Sequence, residues 1–303
     1  MAPSHGLNSG DRLPWRRDAR RPKVVLLGQS HPNAVRNVAT ELRPVIEQHC
    51  DVVLEDFGGL QEITAETADL ALVFGGDGAM LRAARQIGSA GLPVIGINLG
   101  RLGFLADLSP EDVATALPAV VDGRCQVIPH LMLHCDLIRN GHVLSSHLGL
   151  NEVAILGGAP FSLLNLDLYV DGELATSYSC DGLIVSTPVG STAHSLSAGG
   201  PILRKDLQAF VISPVGPHTL TVRPVVDDAD RVYEIVIGQP NESTWVVVDG
   251  ETIQRLEAGD RVSVRRAAAE FRMIEVAGQT YYSTLREKLG WGGELRGLRP
   301  PRE

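Results

Sequence analysis

Short apolar runs alternate with longer stretches of helical spacing through the first part of the chain. KVVLLG (Lys23–Gly28) reads as a strand, the stretch from about Asn33 to Cys50 as a helix, and DVVLED (Asp51–Asp56) as a second short strand. The apolar run from Ala68 to Phe74 ends abruptly in Gly75-Gly76-Asp77-Gly78. A helical segment with Leu81, Ala84 and Ile87 spaced by threes follows, and then the strand PVIGINL. A last helix, SPEDVATALPAVVDG, has Ser109 as N-cap, Pro110 at its first position and acids in its first turn. Strands alternating with helices predict an α/β domain with a mostly parallel sheet and helices on both faces.

After Gly123 the pattern changes to alternating residues punctuated by Asn140-Gly141, Asp171-Gly172 and Asp249-Gly250. In LLNLDLYV, Leu164, Leu166, Leu168 and Val170 share one face and Asn165, Asp167 and Tyr169 the other. Asn-Gly and Asp-Gly supply the positive φ angles of two-residue hairpin turns, so this half is predicted to be antiparallel β. YYSTLREKLGW near the end reads as a helix, and the residues after it as a frayed tail. The divisions are a disordered tail over 1–22, an α/β domain over 23–123, a β-rich domain over 124–277, and a helix with its tail over 278–303.

Composition narrows the class. A chain of 303 residues, 44% apolar and 21% charged, has room for roughly two domains and a sizeable core. No apolar run approaches the roughly 18 residues that span a bilayer, and the N-terminal segment up to Arg21 has arginines but no apolar core, so no secretory signal is read there. With 27 basic against 36 acidic residues the net charge is −9, which argues against nucleic acid or an anionic membrane as partner. Cys50, Cys125, Cys135 and Cys180 lie far apart with no CxxC pair, which fits reduced thiols in a cytoplasm.

Two segments carry candidate chemistry. Gly75-Gly76-Asp77-Gly78 lies between a strand end and a helix start, where ligands of α/β sheets bind and free N–H groups favour anions. A carboxylate there repels phosphate, so Asp77 makes sense as a general base facing a hydroxyl or as a holder of a phosphate-bound metal; the plainer reading is a tight Asp-Gly turn. The second segment, Asp181 to Pro201, runs from an apolar strand into a loop of small residues. The hydroxyls of Ser186, Thr187, Ser191 and Thr192 are its candidate donors to a ligand. His130 and His134 could mimic a metal pair, but on a strand they lie too far apart along it and read as core or surface histidines.

GGDG, NLGRLGFL (Asn98–Leu105), Asn151-Glu152, DGLIVSTPVGSTAHSLSAGGP, SPVGPHTLTVRP (Ser213–Pro224) and the closing LREKLGW occur in that order, and together they resemble the NAD kinase family over roughly residues 23 to 291. The resemblance implies an α/β domain followed by a β-rich domain, with the C-terminal helix returning to the first. It implies ATP-dependent phosphorylation of the adenosine-ribose 2′-hydroxyl of NAD, with Mg²⁺ carried by the nucleotide. Asp77 would be the base; Gly75, Gly76 and Gly78 would shape the loop against the donor phosphates, with Arg82 also among the nucleotide-binding residues. Asn151 and Glu152 would bond ribose hydroxyls, and Asp181 with Thr192, Ala193, His194, Ser195 and Ser197 would hold the nucleosides of NAD. Gly216 and Glu251 complete the implied site. A homodimer or homotetramer is expected.

Six residues depart from the family's pattern. Ala79 and Val189 stand where threonine is common, His194 where tyrosine is, Ser179 where arginine is, Gly216 where Cys or Ala is, and Glu251 where glutamine is. Losing a cation at 179 and gaining an anion at 251 both disfavour an anionic ligand. The departures leave open a phosphotransferase with a drifted nucleoside or nucleotide acceptor, a polyphosphate donor in place of ATP, and a catalytically silent NAD(P)-binding regulator. Retention of Asp77, Asn151, Glu152 and Asp181 weighs against silence.

Overall fold

The first half runs α1 (Pro14–Arg17), β1 (Lys23–Gly28), α2 (Pro32–His49), β2 (Asp51–Asp56), β3 (Leu70–Phe74), α3 (Asp77–Ile87), β4 (Pro93–Ile97) and α4 (Val113–Val121). It belongs to a computed structural model that describes residues 13–28, 32–100, 103–106, 108–158, 163–275 and 281–290. Strands β2, β1, β3 and β4 pair in that order, all parallel. Side chains alternate across them, and each set meets a different helix layer. Val24, Leu26, Leu70, Leu72 and Phe74 join Val35, Ala39 and Ile46 of α2 and Val113, Leu117 and Val120 of α4. Val25, Leu27, Ala71 and Val73 join Ala79, Met80, Ala83, Ala84 and Ile87 of α3. A sheet buried on both faces explains why these strands read as unbroken apolar runs.

The second half runs β5 (Gln126–Arg139), β6 (His142–Gly149), β7 (Glu152–Leu156), β8 (Leu164–Val170), β9 (Glu173–Cys180), β10 (Gly182–Ser186), α5 (His194–Ser197), β11 (Ala209–Val215), β12 (Val225–Asp228), β13 (Tyr233–Gln239), β14 (Trp245–Val248), β15 (Glu251–Arg255) and β16 (Arg261–Glu275), followed by α6 (Tyr281–Leu289). A six-stranded sheet in the order β12-β11-β10-β7-β14-β15 is antiparallel throughout. It packs through Val153, Ile155, Leu183, Val185, Phe210 and Ile212 against β5, β8, β13 and β16. Leu164, Leu166 and Leu168 are buried as the alternation predicts. Asn140-Gly141, Asp171-Gly172 and Asp249-Gly250 all have positive φ at both residues and close the hairpins β5–β6, β8–β9 and β14–β15.

Two expectations change. The boundary at 123/124 is no break in the sheet. β16 pairs antiparallel with β13 at one end and parallel with β4 at the other, through Arg272 and Met273, while β5 lines most of its length. One ten-stranded sheet therefore crosses both halves, and the chain re-enters the first half as a strand before α6 begins. The tail is not solvated through residue 22 either. Leu13 and Trp15 are buried in the α2–α4 layer, the Trp15 indole N–H donates to the Val121 carbonyl at 3.1 Å, and Arg20 pairs with both oxygens of Asp69. A tryptophan gives the segment enough apolar area to dock despite its arginines. Residues 1–12, and the tail from 291 onward, lie outside the described residues.

Candidate active site

Gly75, at φ +142°, turns the chain at the carboxyl end of β3, and extended Gly76 caps α3, so Asp77 is the first helical residue. Its carboxylate accepts the N–H of Phe104 on Oδ2 and of Leu105 on Oδ1, each at 2.9 Å. Gly103 lies so near that a Cβ there would overlap the carboxylate, whereas a Cβ on Gly76 or Gly78 would meet nothing within 4 Å. The carboxylate is thus gripped from behind by one turn while the glycine backbone faces open space. Lys205 donates to the Phe104 carbonyl at 2.6 Å, and Lys288 of α6 sits 5.6 Å from the Phe104 ring centroid.

A second cluster forms around Asn151 and Glu152, both buried, where β7 begins. Asp249, in the β14–β15 turn, accepts the N–H groups of Leu150, Asn151 and Glu152 at 2.7–3.1 Å. Burial, and then the neighbouring Asp249, push the Glu152 carboxyl up to about 8, and among the described residues its Oε2 has no hydrogen-bond partner. Burial raises Asp249 as well, against its three N–H donors and Arg85. Arg85 reaches Asp249 at 3.6 Å and pairs with Glu251. Arg82, Arg85, Gln86 and Glu251 line a cavity of about 350 Å³ with Gly58 and Gly59. The Arg82 Nε is buried there without a hydrogen-bond partner among the described residues.

The hydroxyl loop is built differently from its sequence expectation. Thr187 Oγ1 donates to the Leu150 carbonyl and accepts from Gly190 N–H; Ser186 donates to the Asn151 and Thr187 carbonyls, and Ser191 to that of Pro188. These three side chains are fully buried and hold the loop against the second cluster instead of facing a ligand. Ser195 is also fully buried, its Oγ bonded to Ser213 Oγ at 3.0 Å. Thr192 donates to the Val189 carbonyl but stays partly exposed, as do Ala193 and His194, and Ser197 is exposed.

Asp181 lies apart. It precedes β10 at the end where Gly182 pairs with Val215, whereas Ser186 pairs with Glu152 at the other end. Five residues of strand separate them by about 17 Å. Gly216 wraps this end with φ +53°, and a Cβ there would lie 2.5 Å from Asp181 Oδ2; His218 stands 3.5 Å from Asp181 Oδ1. His130 is buried and donates through Nδ1 to the Lys205 carbonyl, and His134 bonds Asp136.

Three of the departures, at Ala79, Val189 and Glu251, have physical accounts. Ala79 and Val189 lie in one apolar cluster with Met80 and Leu150, so both missing hydroxyls are replaced by packing. Glu251 is no uncompensated anion, because Arg85 pairs with it. Nothing in the structure explains Ser179. Arg85, Lys205 and Asp249 escaped the sequence reading. Arg85 alone left a signal, one helical turn beyond Arg82 on the helix that Asp77 begins.

A glycine-flanked carboxylate at the carboxyl end of a parallel sheet stands where α/β folds bind their ligands. Residues 27–125 match the ATP-NAD kinase N-terminal domain and residues 150–276 the ATP-NAD kinase C-terminal domain. The chain is 54% identical to the NAD kinase of Rhodopirellula baltica, covering 95% of this chain and 93% of that one. It is 38% identical to the NAD kinase of Geobacter sulfurreducens, with 89% and 99% covered. Yeast NADH kinase, solved in complex with NADH, shares the fold at TM-score 0.77 and 23% identity, covering 92% of this chain and 91% of that one. An NAD kinase from Archaeoglobus fulgidus, solved with ATP, gives 0.69 and 25%, with 88% and 97% covered. The chain belongs to the ATP-NAD kinase family.

Proposed function

We propose that the protein transfers the terminal phosphoryl group of ATP to the 2′-hydroxyl of the adenosine ribose of NAD, giving NADP, with Asp77 as general base. The observation that carries this reading is the carboxylate at the start of α3, oriented by two backbone N–H groups beside open glycine backbone. Each carboxylate oxygen accepts one N–H and keeps a further lone pair. Asp77 takes the hydroxyl proton as the ribose oxygen bonds the γ-phosphorus; the bridging P–O bond breaks and its electrons leave with ADP.

Glu152, with its carboxyl near 8, is protonated at neutral pH and offers an O–H to a ribose oxygen without adding charge beside the phosphates; Asn151 supplies the adjacent amide. Mg²⁺ enters as part of the MgATP substrate, held chiefly by phosphate oxygens. Arg82, Gly75, Gly76, Gly78, Thr192, Ala193, His194 and Ser197 complete the nucleotide-binding set. Asp181 and Gly216 serve a part of the ligand remote from Glu152.

A reducing, cytoplasmic setting is supported by four buried, unpaired cysteines. Among the described residues, no helix is long and apolar enough to cross a membrane. Assembly as a homodimer or homotetramer is supported by exposed Leu220, Val225 and Val226, the latter two on the edge strand β12.

The test is purified protein with MgATP, or with polyphosphate, and a panel of NAD, NADH and simple nucleosides, products read by mass spectrometry. NADP formed from ATP and NAD is the expected result. Asp77→Asn should then lower turnover by about 10²–10⁴ while binding of NAD persists. Ready phosphorylation of another nucleotide, with no NADP, would move the acceptor; a variant with near-parental turnover would remove Asp77 from the role of base.

A further inference from the structure

We propose that Lys205 is a positioning residue for Asp77, acting through the one peptide group that joins Phe104 to Leu105. The two ends of that group face opposite charges. Its oxygen accepts the Lys205 ammonium at 2.6 Å, and its N–H donates to Asp77 Oδ1 at 2.9 Å. Because the amide is conjugated, a cation on the oxygen draws electron density from nitrogen and makes the N–H a better donor to the carboxylate. The N–H of Phe104 holds the other carboxylate oxygen, so fixing this single turn fixes Asp77 in both position and plane.

The lysine reaches the turn from a fixed root. Its own carbonyl accepts the Nδ1–H of buried His130 at 3.3 Å. Two residues earlier, Leu203 donates its N–H to Ser191 Oγ at 2.9 Å and accepts the Tyr281 hydroxyl at 2.8 Å. The neighbouring charges are otherwise engaged. Arg204 and Asp206 pair with each other at 2.8 Å, and Lys288 lies over the Phe104 ring. Among the described residues the Lys205 ammonium makes no ion pair, which leaves it to the Phe104 carbonyl. The contact also joins the two halves: Lys205 lies between α5 and β11, whereas Phe104 follows β4. Sequence gives no hint of it, because the residues are 101 apart.

The inference rests on the reading of Asp77 as base, and the experiment separates the two. Steady-state kinetics are measured for Lys205→Met, Lys205→Arg, Asp77→Asn and the Lys205→Met/Asp77→Asn double variant, with NAD binding and thermal melting followed alongside. Lys205→Met is expected to lower kcat on the order of tenfold with KM for NAD and ATP within about twofold, as for a reacting group displaced by a fraction of an ångström. Lys205→Arg should recover most of the loss. In the Asp77→Asn background the methionine should cost less than about twofold, because the group it positions is already gone. Unchanged kcat in Lys205→Met overturns the proposal, as does a loss confined to KM or one equally large without Asp77. Near-parental turnover of Asp77→Asn removes the base and this proposal with it. An inactive Asp77→Asn beside a normal Lys205→Met sinks the lysine alone.

Discussion

Glu152 is a carboxyl that the fold has taken out of water without supplying an ionic partner. Among the described residues its oxygen Oε2 is unbonded, Asp249 adds like charge, and Arg85 is shared between Asp249 and Glu251. The consequence for stability has a definite sign. Between the ordinary value of 4.5 and the folded value of about 8, the unfolded chain releases a proton that the folded protein keeps. This group therefore takes stability away as pH rises through that window. Glutamine at 152 does not titrate, so Glu152→Gln should gain on the parent between pH 5 and 8 by a few kcal/mol at most, since each tenfold difference in proton affinity between the two states is worth roughly 1.4 kcal/mol. His130, which burial pushes down to about 4, contributes the opposite slope below 6.5, but it is common to both proteins and cancels in the difference. Urea unfolding of both proteins at several pH values checks this. A constant difference across the window would mean that Glu152 is ionised in the folded state at neutral pH.

Elements meet at the site through turns whose side chains do the joining. Asp249 occupies a hairpin turn at φ +48°, yet its carboxylate satisfies three successive N–H groups at the start of β7. Asp249→Ala would orphan all three in a buried place, at about 1–3 kcal/mol each, partly offset by relief of the buried charge beside Glu152. The expected outcome is a loss of several kcal/mol in urea unfolding, with weaker NAD binding because Asn151 and Glu152 are released. A variant as stable as its parent would show that water replaces the carboxylate. Asp249-Gly250 was legible as a turn, because the φ requirement is local; its grip on β7 was not, because the partners are about 100 residues away. The same division holds elsewhere. Two-sided apolar runs, the leucine alternation of β8 and the glycine loop carrying Asp77 were all readable from spacing. The hydroxyls of Ser186, Thr187, Ser191 and Thr192 looked like ligand donors because sequence cannot say whether a polar group faces a cleft or the backbone of a neighbouring strand; Thr192 alone stays partly exposed. Burial decides that, and here it turns the other three inward.

At the scale of the whole molecule, β16 makes the two halves mechanically one. Its fifteen residues pair with β13, run along β5 and end beside β4, so separating the halves means breaking a continuous sheet. It contributes to three apolar cores, and two of them serve as probes: the sandwich around Phe210 and Tyr233, and the layer around Trp15, α2 and α4. If the sheet couples them, truncation in either core should lower the same transition. Trp15→Ala removes a fully buried ring and its bond to Val121; Phe210→Ala removes a ring packed edge-on against Tyr233 at 5.7 Å. Each is worth about 3–5 kcal/mol. Near-ultraviolet and far-ultraviolet dichroism should report one coincident melt for the parent and one for each variant, both displaced downward. Halves joined only by a tether would behave otherwise: Trp15→Ala would split the melt, lowering the component from the α/β half and leaving the sandwich at its parental temperature. A split of that kind would show that the pairing of Arg272 and Met273 with β4 is too weak to couple the cores, and the two-domain division would then hold energetically as well as in sequence.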